Sequence, residues 1–247
     1  MPRIVKESAL RRTEILDAAQ RLVYTKGYEQ MTIQDILNDL HISKGAFYHY
    51  FASKQALLEA LIERLGEQAE KVILPILDDP HLPALQKLEG FFVTTGRWKT
   101  AQKAYLLSLL KVWYTDDNAI VREKMITAMV KRFAPLLSVI IRQGVQEGVL
   151  STSYPDSMAE AVIYLIKSLG DTFIEPLLAG EPKDEDFLRI ENAVAAYTDA
   201  LERILGASKG SLHLIDTATL EEWFPRQAGA VKRESANLRK SSPIEKD

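Results

Sequence analysis

A short stretch of the sequence, His41–Phe51, concentrates side chains that can donate hydrogen bonds to negatively charged oxygens. It reads HISKGAFYHYF, and its last five residues contain four Phe or Tyr rings and a histidine. Tyr hydroxyl, His ring N–H and Lys ammonium groups donate to phosphate oxygens, while ring edges contact thymine methyl groups. The stretch therefore has the chemistry of a surface that binds nucleic acid.

Helical spacing divides these side chains between two faces. Phe47 and Phe51 are four residues apart, so they share one face of a helix and are predicted to be core. Gly45 costs a helix roughly 0.5–1 kcal/mol relative to Ala, and we interpret that cost as room for a closely approaching DNA backbone or base edge. The predicted DNA contacts on this helix are Lys44, Gly45, Ala46, Tyr48, His49 and Tyr50.

The elements around this stretch have helix-turn-helix spacing. Thr32 is predicted to cap a helix whose apolar face ends at Leu40, with Asp35 completing a variant of the capping box. Three residues then separate it from a second, short helix that Ser43 caps. A longer helix, Ser8–Tyr24, is expected to brace the pair. Thr32 and Lys54 stand at helix N-termini, where free N–H groups favour an anionic phosphate, and both are predicted DNA contacts.

The rest of the sequence also predicts helices, so the expected fold class is all-α. Period-3.6 apolar patterns and turn residues bound each helix, whereas the alternation typical of strands is hard to find. The predicted helices run from Ser53 to Pro75 and over residues 83–98, 101–114, 119–147, 156–179 and 184–205. TATLEEWF predicts one more short helix ending at Pro225, and the Lys-, Arg- and Ser-rich remainder predicts a disordered tail.

Composition narrows the possible functions. The 247 residues carry a net charge of −3 and no cysteine, which excludes disulfides and thiolate catalysis. Residues 1–54 hold eight Lys or Arg against six Asp or Glu, a slight basic excess. Four scattered histidines and the lack of catalytic or metal-binding motifs predict a protein that is not an enzyme and has no cofactor or metal. With neither a signal peptide nor an apolar span, we expect a cytoplasmic location and no membrane contact.

About sixty residues resemble the N-terminal domain of tetracycline-repressor-type (TetR-family) regulators. The resemblance is carried by ILDAAQRLVYTKGYEQ followed by TIQDILNDLHISKGAFYHYFASKQALL, above all KGY, ISKGAFYHYF and the SK that leads into the next helix. Three features depart from the usual pattern. His41 stands where Gly is common and must tolerate a left-handed conformation, Leu37 and Leu40 replace small residues, and Ala46 replaces a hydroxyl residue.

The resemblance implies a ligand-binding and dimerisation domain in the C-terminal helices. We expect a homodimer, since one short recognition helix reads few bases, with part of the last two long helices forming a four-helix interface. Large rings with polar atoms, led by Trp98, Tyr105 and Trp113, are the first candidates for a small-molecule effector site. The full candidate set is Phe92, Trp98, Tyr105, Trp113, Met129, Phe133 and Tyr164.

The sequence thus predicts three parts: a helix-turn-helix DNA-binding domain over residues 1–54, a helical regulatory and dimerisation domain over 55–206, and a partly disordered extension over 207–247. The predicted function is sequence-specific transcriptional regulation, which in the regulators that this chain resembles is most often repression. A small molecule is expected to release the protein from a palindromic operator. Two alternatives stay open: control by a protein partner, and a helical binding module that does not read DNA.

Overall fold

The computed structural model describes residues 2–180 and 183–225, and the side chains of residues 8–180, 183 and 185–225. The described residues are helical almost throughout, and no strand occurs in these ranges, so the predicted all-α class is confirmed. The α-helices are α1 Pro2–Lys26, α2 Ile33–Leu40, α3 Lys44–Tyr50, α4 Lys54–Leu77, α5 Ala84–Ala101, α6 Lys103–Trp113, α7 Ala119–Gln146, α8 Pro155–Ala179, α9 Asp184–Leu205 and α10 Thr217–Trp223. A short 3-10 helix, Asp116–Asn118, separates α6 from α7.

Side-chain caps define the starts of the three helices that follow α1, as predicted at Thr32 and Ser43. Thr32 and Asp35 form a complete capping box at α2, in which each side chain accepts a hydrogen bond from the other residue's backbone N–H. Ser43 accepts from Ala46 N at α3, and Ser53 accepts from Ala56 N at α4. Because these bonds satisfy free donors of the first turn, they fix where each helix begins.

His41 ends α2 in the left-handed conformation that the sequence predicts, with φ 54° and ψ 43°. Among the described residues, no other non-glycine has a positive φ. Its backbone N–H donates to the Leu37 carbonyl, so this strained residue closes the helix and turns the chain toward α3.

The prediction that the fourth helix ends at Pro75 is wrong, because α4 continues to Leu77. Leu77 packs against the buried core of the later helices, and Ile76 lies against α5 beside Gly90. The Lys87 ammonium donates to the Leu77 carbonyl at 2.7 Å. These contacts stabilise the last turn of α4 and offset the unfavourable effect of Pro75. That effect is small here because a proline near a helix end removes few backbone hydrogen bonds.

Two hydrophobic cores organise the described chain. The first, which we call the head core, joins α1, α2, α3 and the first turns of α4, and it includes Phe47, Leu57 and Leu61. The second, the body core, joins the later part of α4 with α5, α7, α8 and α9. Helix α6 contributes Tyr105 and Leu109 to the head core, although α6 follows α5 along the chain. Helix α4 therefore contributes to both cores, whereas α6 packs on the head core and also contacts α8 of the body.

The segment after α9 packs on the body core. Leu212, Leu220 and Phe224 are buried there, and Trp223 Nε1 donates to Thr100 Oγ1 at 2.8 Å. The predicted short helix before Pro225 is present as α10. The boundary at residue 206 stays a prediction, and the predicted disordered tail after Pro225 lies outside the described residues. Within the described chain, no helix combines the length and apolar character that crossing a bilayer requires.

Candidate nucleic-acid interface

Helix α3 is anchored to the head core by its two phenylalanines. Phe47 has no exposed surface and Phe51 is 3% exposed, and their ring centroids are 5.8 Å apart. The prediction that both rings are core is therefore confirmed. Since α3 is only seven residues long, these two side chains hold its orientation, and the opposite face is left to solvent.

The outward face of α3 carries Lys44, Gly45, Tyr48 and His49, all of them exposed. Tyr48 is 42% exposed, and its ring centroid lies 5.9 Å from the Lys44 Nζ. At this distance the ammonium and the ring attract each other weakly, which leaves both polar groups free to bind a partner. The structure thus brings four of the eight predicted DNA contacts together on one exposed surface, which we call the α3 surface.

Gly45 has no packing reason to be glycine. A Cβ added there would meet only the Ser43 Oγ, at 3.9 Å, which is ordinary van der Waals contact. Its φ is not positive, so the backbone does not demand glycine either. The helix therefore accepts the cost of a glycine that the fold itself does not need, consistent with a partner surface approaching closely at this point.

Ala46 and Tyr50 lie at the edges of the α3 surface, and both are half-buried. The Tyr50 ring packs against the head core and meets the His49 ring edge-on, with centroids 4.9 Å apart. The sequence predicts that Tyr50 faces the DNA, whereas in the structure part of its ring packs inward against the head core. Its side chain is thus a flanking part of the surface, and its role as a DNA contact stays a prediction.

The side chains of Thr32 and Lys54 already have partners within the fold. The Thr32 hydroxyl donates to Asp35 Oδ2 at 2.7 Å and accepts from Asp35 N. The Lys54 ammonium donates to the Glu29 carbonyl at 3.1 Å and lies 4.6 Å from the Tyr28 ring centroid. Burial lowers the pKa of Lys54, and the nearby charges of Glu29 and Asp35 partly oppose that effect. Both residues are within the head, but neither is a free donor.

Acidic side chains next to α3 are neutralised by basic ones. Asp35 pairs with Lys26 at 2.6 Å, and Asp39 pairs with Arg21 at 2.7 Å. Hydrogen bonds from Lys26 and Thr32 lower the pKa of Asp35 from 3.8 to about 2. Because α3 itself has no acidic residue, the α3 surface presents Lys44 and neutral donors without an unpaired carboxylate on its own helix.

Arg12 belongs to a basic N-terminal stretch that, on sequence grounds, fits a DNA-contacting arm and an ordinary solvated end equally well. The structure places its exposed guanidinium 5.3 Å from the centroid of the Phe51 ring, at the end of α3. Arg12 is thus a further basic side chain beside the α3 surface. Sequence alone does not reveal this proximity because it depends on how α1 crosses the C-terminus of α3.

The predicted effector-site residues are distributed over separate places. Phe92 and Phe133 belong to the body core, and Trp98 packs partly buried against it. Met129 is 41% exposed and Tyr164 is 51% exposed, so both lie at the surface. Trp113, at the end of α6, is half-buried, and its backbone carbonyl accepts a hydrogen bond from Arg122 at 2.8 Å. Of the seven candidates, Phe92, Trp98 and Phe133 share one region.

Tyr105 belongs to the head core. It is 1% exposed, and its ring stacks on Tyr24 of α1 with centroids 4.8 Å apart. One turn further along α6, Ser108 Oγ accepts a hydrogen bond from Tyr28 N at 3.1 Å. Burial raises the pKa of the Tyr105 hydroxyl, with a smaller contribution from Tyr24. Tyr105 therefore connects α6 to α1, a position that helical periodicity does not distinguish from a pocket wall.

Among the described side chains, no group of three or more His, Asp or Glu residues has the arrangement of a metal site. The chain contains no cysteine that would supply another ligand type. The carboxyl groups whose pKa is lowered lie in caps and ion pairs of separate helices and do not cluster. Among the described residues, the α3 surface is a concentrated polar surface that both sequence and structure identify.

Two protein-family profiles match this chain. The profile described as bacterial regulatory proteins of the tetR family matches residues 15–61, which contain about the second half of α1, all of α2 and α3, and the start of α4. The profile described as a tetracyclin repressor-like C-terminal domain matches residues 108–174, from α6 to α8. The two matches therefore include both the head and part of the body.

Bacterial regulators are similar to this chain over much of their length. The HTH-type transcriptional regulator YfiR of Bacillus subtilis is 28% identical over 152 residues, 58% of this chain and 72% of that protein. The HTH-type transcriptional repressor DhaR of a Mycobacterium species is 22% identical over 153 residues, 62% of this chain and 76% of that protein. Both alignments extend well beyond a helix-turn-helix alone.

Solved structures share the fold. A TetR-family transcriptional regulator from Pectobacterium atrosepticum is 18% identical, with a TM-score of 0.59, over 81% of this chain and 96% of that one. A transcriptional regulator from Cytophaga hutchinsonii has the same identity of 18% and the same TM-score of 0.59, over 77% of this chain and 96% of that one. At this identity the likeness concerns the arrangement of helices.

Proposed function

This chain is a DNA-binding transcriptional regulator of the TetR family, and we propose that it represses its target genes until a small-molecule effector binds its body. The observation that carries the proposal is the α3 surface, where Lys44, Tyr48 and His49 are exposed around a glycine that packing does not require. DhaR, a relative over most of its length, is named a repressor. Operator binding implies action in the cytoplasm, where bacterial DNA is located.

In the proposed complex, α3 lies in the major groove of operator DNA. The Lys44 ammonium donates to a phosphate oxygen, while the exposed rings of Tyr48 and His49 reach phosphates or base edges. Gly45 permits the closest approach at the start of the helix. Thr32 and Lys54 are proposed to contribute mainly the free N–H groups of the helix N-termini at which they stand, because their own side chains are bonded within the head.

A homodimer is required to read a palindrome, and we propose that α8 and α9 form its interface. Val162, Leu169 and Leu201 of these helices are buried within the protomer, so they are not available to a second copy. Tyr164 of α8 and Leu188 of α9 are each 51% exposed. A twofold contact between these outer faces would place two α3 surfaces about one DNA turn apart, roughly 34–36 Å.

The proposed effector response depends on a connection between body and head. Helix α4 runs from the head into the body core, and α6 contacts α1 through Tyr105 and the turn after α1 through Ser108. An effector that binds one arrangement of the body helices more tightly shifts α4 and α6, and thereby the separation of the two α3 surfaces. A solved structure described as a complex of SmeT with triclosan shares the fold, with a TM-score of 0.55 and 15% identity. That structure is an example of a small molecule bound to a protein with this arrangement of helices.

Selection of DNA from a random pool by the purified full-length protein tests this function. We expect enrichment of a palindrome whose half-sites lie about one helical turn apart. The matched control is the Lys44→Ala, Tyr48→Ala double variant, which should enrich no sequence. Failure of the natural protein to enrich any sequence would instead support a helical module that does not read DNA. Enrichment of a single, unrepeated site would contradict the twofold arrangement.

A further inference from the structure

The segment that follows α9 lies along α5, and we call its residues 212–224 the strap. At its start, the buried Glu202 carboxylate of α9 accepts a hydrogen bond from Leu212 N at 3.1 Å. His213 Nδ1 then lies 3.6 Å from Glu89 Oε1, which is in the first half of α5. From this point the strap continues toward the end of α5, and α10 is its last part.

The strap ends at the joint between α5 and α6. Trp223 Nε1 donates to Thr100 Oγ1 of α5 at 2.8 Å. On the other side of the joint, Lys103 Nζ of α6 donates to the Glu222 carbonyl at 2.5 Å and lies 5.5 Å from the centroid of the Trp223 ring. Two consecutive residues of the strap therefore contact both helices at the point where the helices meet.

The joint itself is a single residue. Gln102 separates α5 from α6, and its φ of −114° and ψ of 19° are not those of an α-helix. Its side chain makes no capping hydrogen bond at the start of α6. Because a hinge needs only a few residues at the ends of its elements to absorb a change in backbone angles, contacts that bridge Gln102 restrict the angle between the two helices.

The joint also divides the two hydrophobic cores. The buried residues of α5, Phe92 among them, belong to the body core, whereas Tyr105 of α6 belongs to the head core. Tyr105 follows Lys103 by only two residues and stacks on Tyr24 of α1. A change in the direction of α6 relative to α5 therefore acts directly on a contact between the body and the head.

We propose that the strap sets the angle between α5 and α6, and thereby the separation of the two α3 surfaces in the DNA-binding dimer. The proposal rests on the dimeric operator reading proposed above and gives the segment after α9 a role in it. Trp223 and Lys103 are positioning residues, because they act through the contacts of α6 with α1. With their contacts intact, the heads are held at one spacing, and loss of these contacts lets the spacing vary.

Operators of altered spacing test this role. The full-length protein is titrated with the selected operator and with the same operator lengthened by one base pair between its half-sites, which turns one half-site by roughly 35° relative to the other. Two variants open the joint from opposite sides. Trp223→Ala removes the bond to α5 and the ring beside Lys103, and Lys103→Met removes the bond from α6 to the strap.

Two control variants match the side effects of these substitutions. Ile140→Ala removes a fully buried side chain of α7 and matches the loss of stability expected for Trp223→Ala. Lys111→Met removes one positive charge from an exposed position of α6 and matches Lys103→Met.

We expect the natural protein to bind the lengthened operator about tenfold or more weakly than the selected one. In Trp223→Ala and Lys103→Met this preference should fall to about threefold or less, mainly because a less preorganised dimer binds the selected operator more weakly. Both controls should keep the preference of the natural protein. An unchanged preference in the two strap variants, an equal fall in either control, or equal binding of both operators by the natural protein would each overturn the proposal.

Hydrogen exchange separates a failure of this proposal from a failure of the regulatory function. The Tyr28 amide donates to Ser108 Oγ, so its exchange rate reports whether α6 keeps its place against the head. Exchange at Tyr28 should be about threefold or more faster in Trp223→Ala than in Ile140→Ala. If the natural protein selected no palindrome while this acceleration remained, the operator function would fail and the hold of the strap on α6 would stand. A selected palindrome, with spacing preference and exchange both indifferent to Trp223, would overturn the role of the strap and leave the regulatory function in place.

Discussion

Ser108 Oγ of α6 accepts a hydrogen bond from the backbone N–H of Tyr28 in the head, at 3.1 Å. The contact joins the body helix α6 to the turn that precedes α2, eighty residues earlier in the chain. Together with the stack of Tyr105 on Tyr24, it makes α6 part of the head core. Movement of α6 relative to the head therefore breaks these contacts unless α1 and the turn before α2 move with it.

Ser108→Ala should destabilise the protein by about 1–3 kcal/mol, because the Tyr28 N–H loses its acceptor in a partly buried position. The free energy of unfolding from urea denaturation measures this cost. Ser157→Ala, at an exposed position of α8, is the control and should change stability by less than about 0.5 kcal/mol. A neutral effect of Ser108→Ala would show that α6 is not coupled to the head through this bond.

His41→Gly should stabilise the protein slightly, by up to about 1 kcal/mol, because glycine adopts the positive φ of 54° without steric cost. His41→Val should destabilise it by about 1–2 kcal/mol, since a β-branched residue fits this region poorly. Thermal unfolding of both variants provides the comparison. The His41 side chain is exposed, so backbone strain dominates the difference. If valine were tolerated as well as glycine, the left-handed turn would not be rigid.

Asp35→Asn should lower thermal stability at neutral pH and have little effect near pH 2. The pKa of Asp35 is lowered from 3.8 to about 2 by its bonds to Lys26 and Thr32, so the ionised form is favoured by folding. This stabilisation is fully present above pH 3.8 and is lost as the pH falls from 3.8 toward 2. Melting temperatures of both proteins across this range test the direction. A difference that stays constant through the range would contradict the assigned interactions.

Phe224→Ala should lower the free energy of unfolding by about 3–5 kcal/mol, as for other buried aromatic residues. Phe224 is 1% exposed and contacts Phe173 of α8, with ring centroids 5.8 Å apart. Chemical denaturation measures the loss. The exposed neighbour Pro225 gives a control, because Pro225→Ala removes no buried surface. A small effect at Phe224 would show that the segment after residue 206 is a loosely attached extension.

The sequence predicts the head in detail because its determinants are local. Thr32, Ser43 and Ser53 cap helices through residues three positions away, and Phe47 and Phe51 are placed by one helical turn. The left-handed backbone of His41 is expected from the resemblance to TetR-family regulators, in which glycine is common at this position. The cap and core predictions need only the geometry of a single helix, which the residue types largely determine.

The body is less predictable because its functional positions depend on contacts between distant helices. Tyr105 has the same helical pattern as a pocket residue, but the packing of α6 on α1 places it in the head core. Pro75 is a helix stop in sequence, whereas α5 stabilises two further residues of α4.

The most direct test of the central claim is equilibrium binding of the selected operator by single variants of the α3 surface, measured across a range of salt concentrations. Lys44→Ala should weaken binding to specific and non-specific DNA alike and reduce the salt slope by about one. Tyr48→Ala should weaken operator binding more than non-specific binding. Lys111→Ala, an exposed lysine of α6, should bind as the natural protein does. Unchanged affinity and salt slope in both α3 variants would contradict the assignment of this surface to DNA.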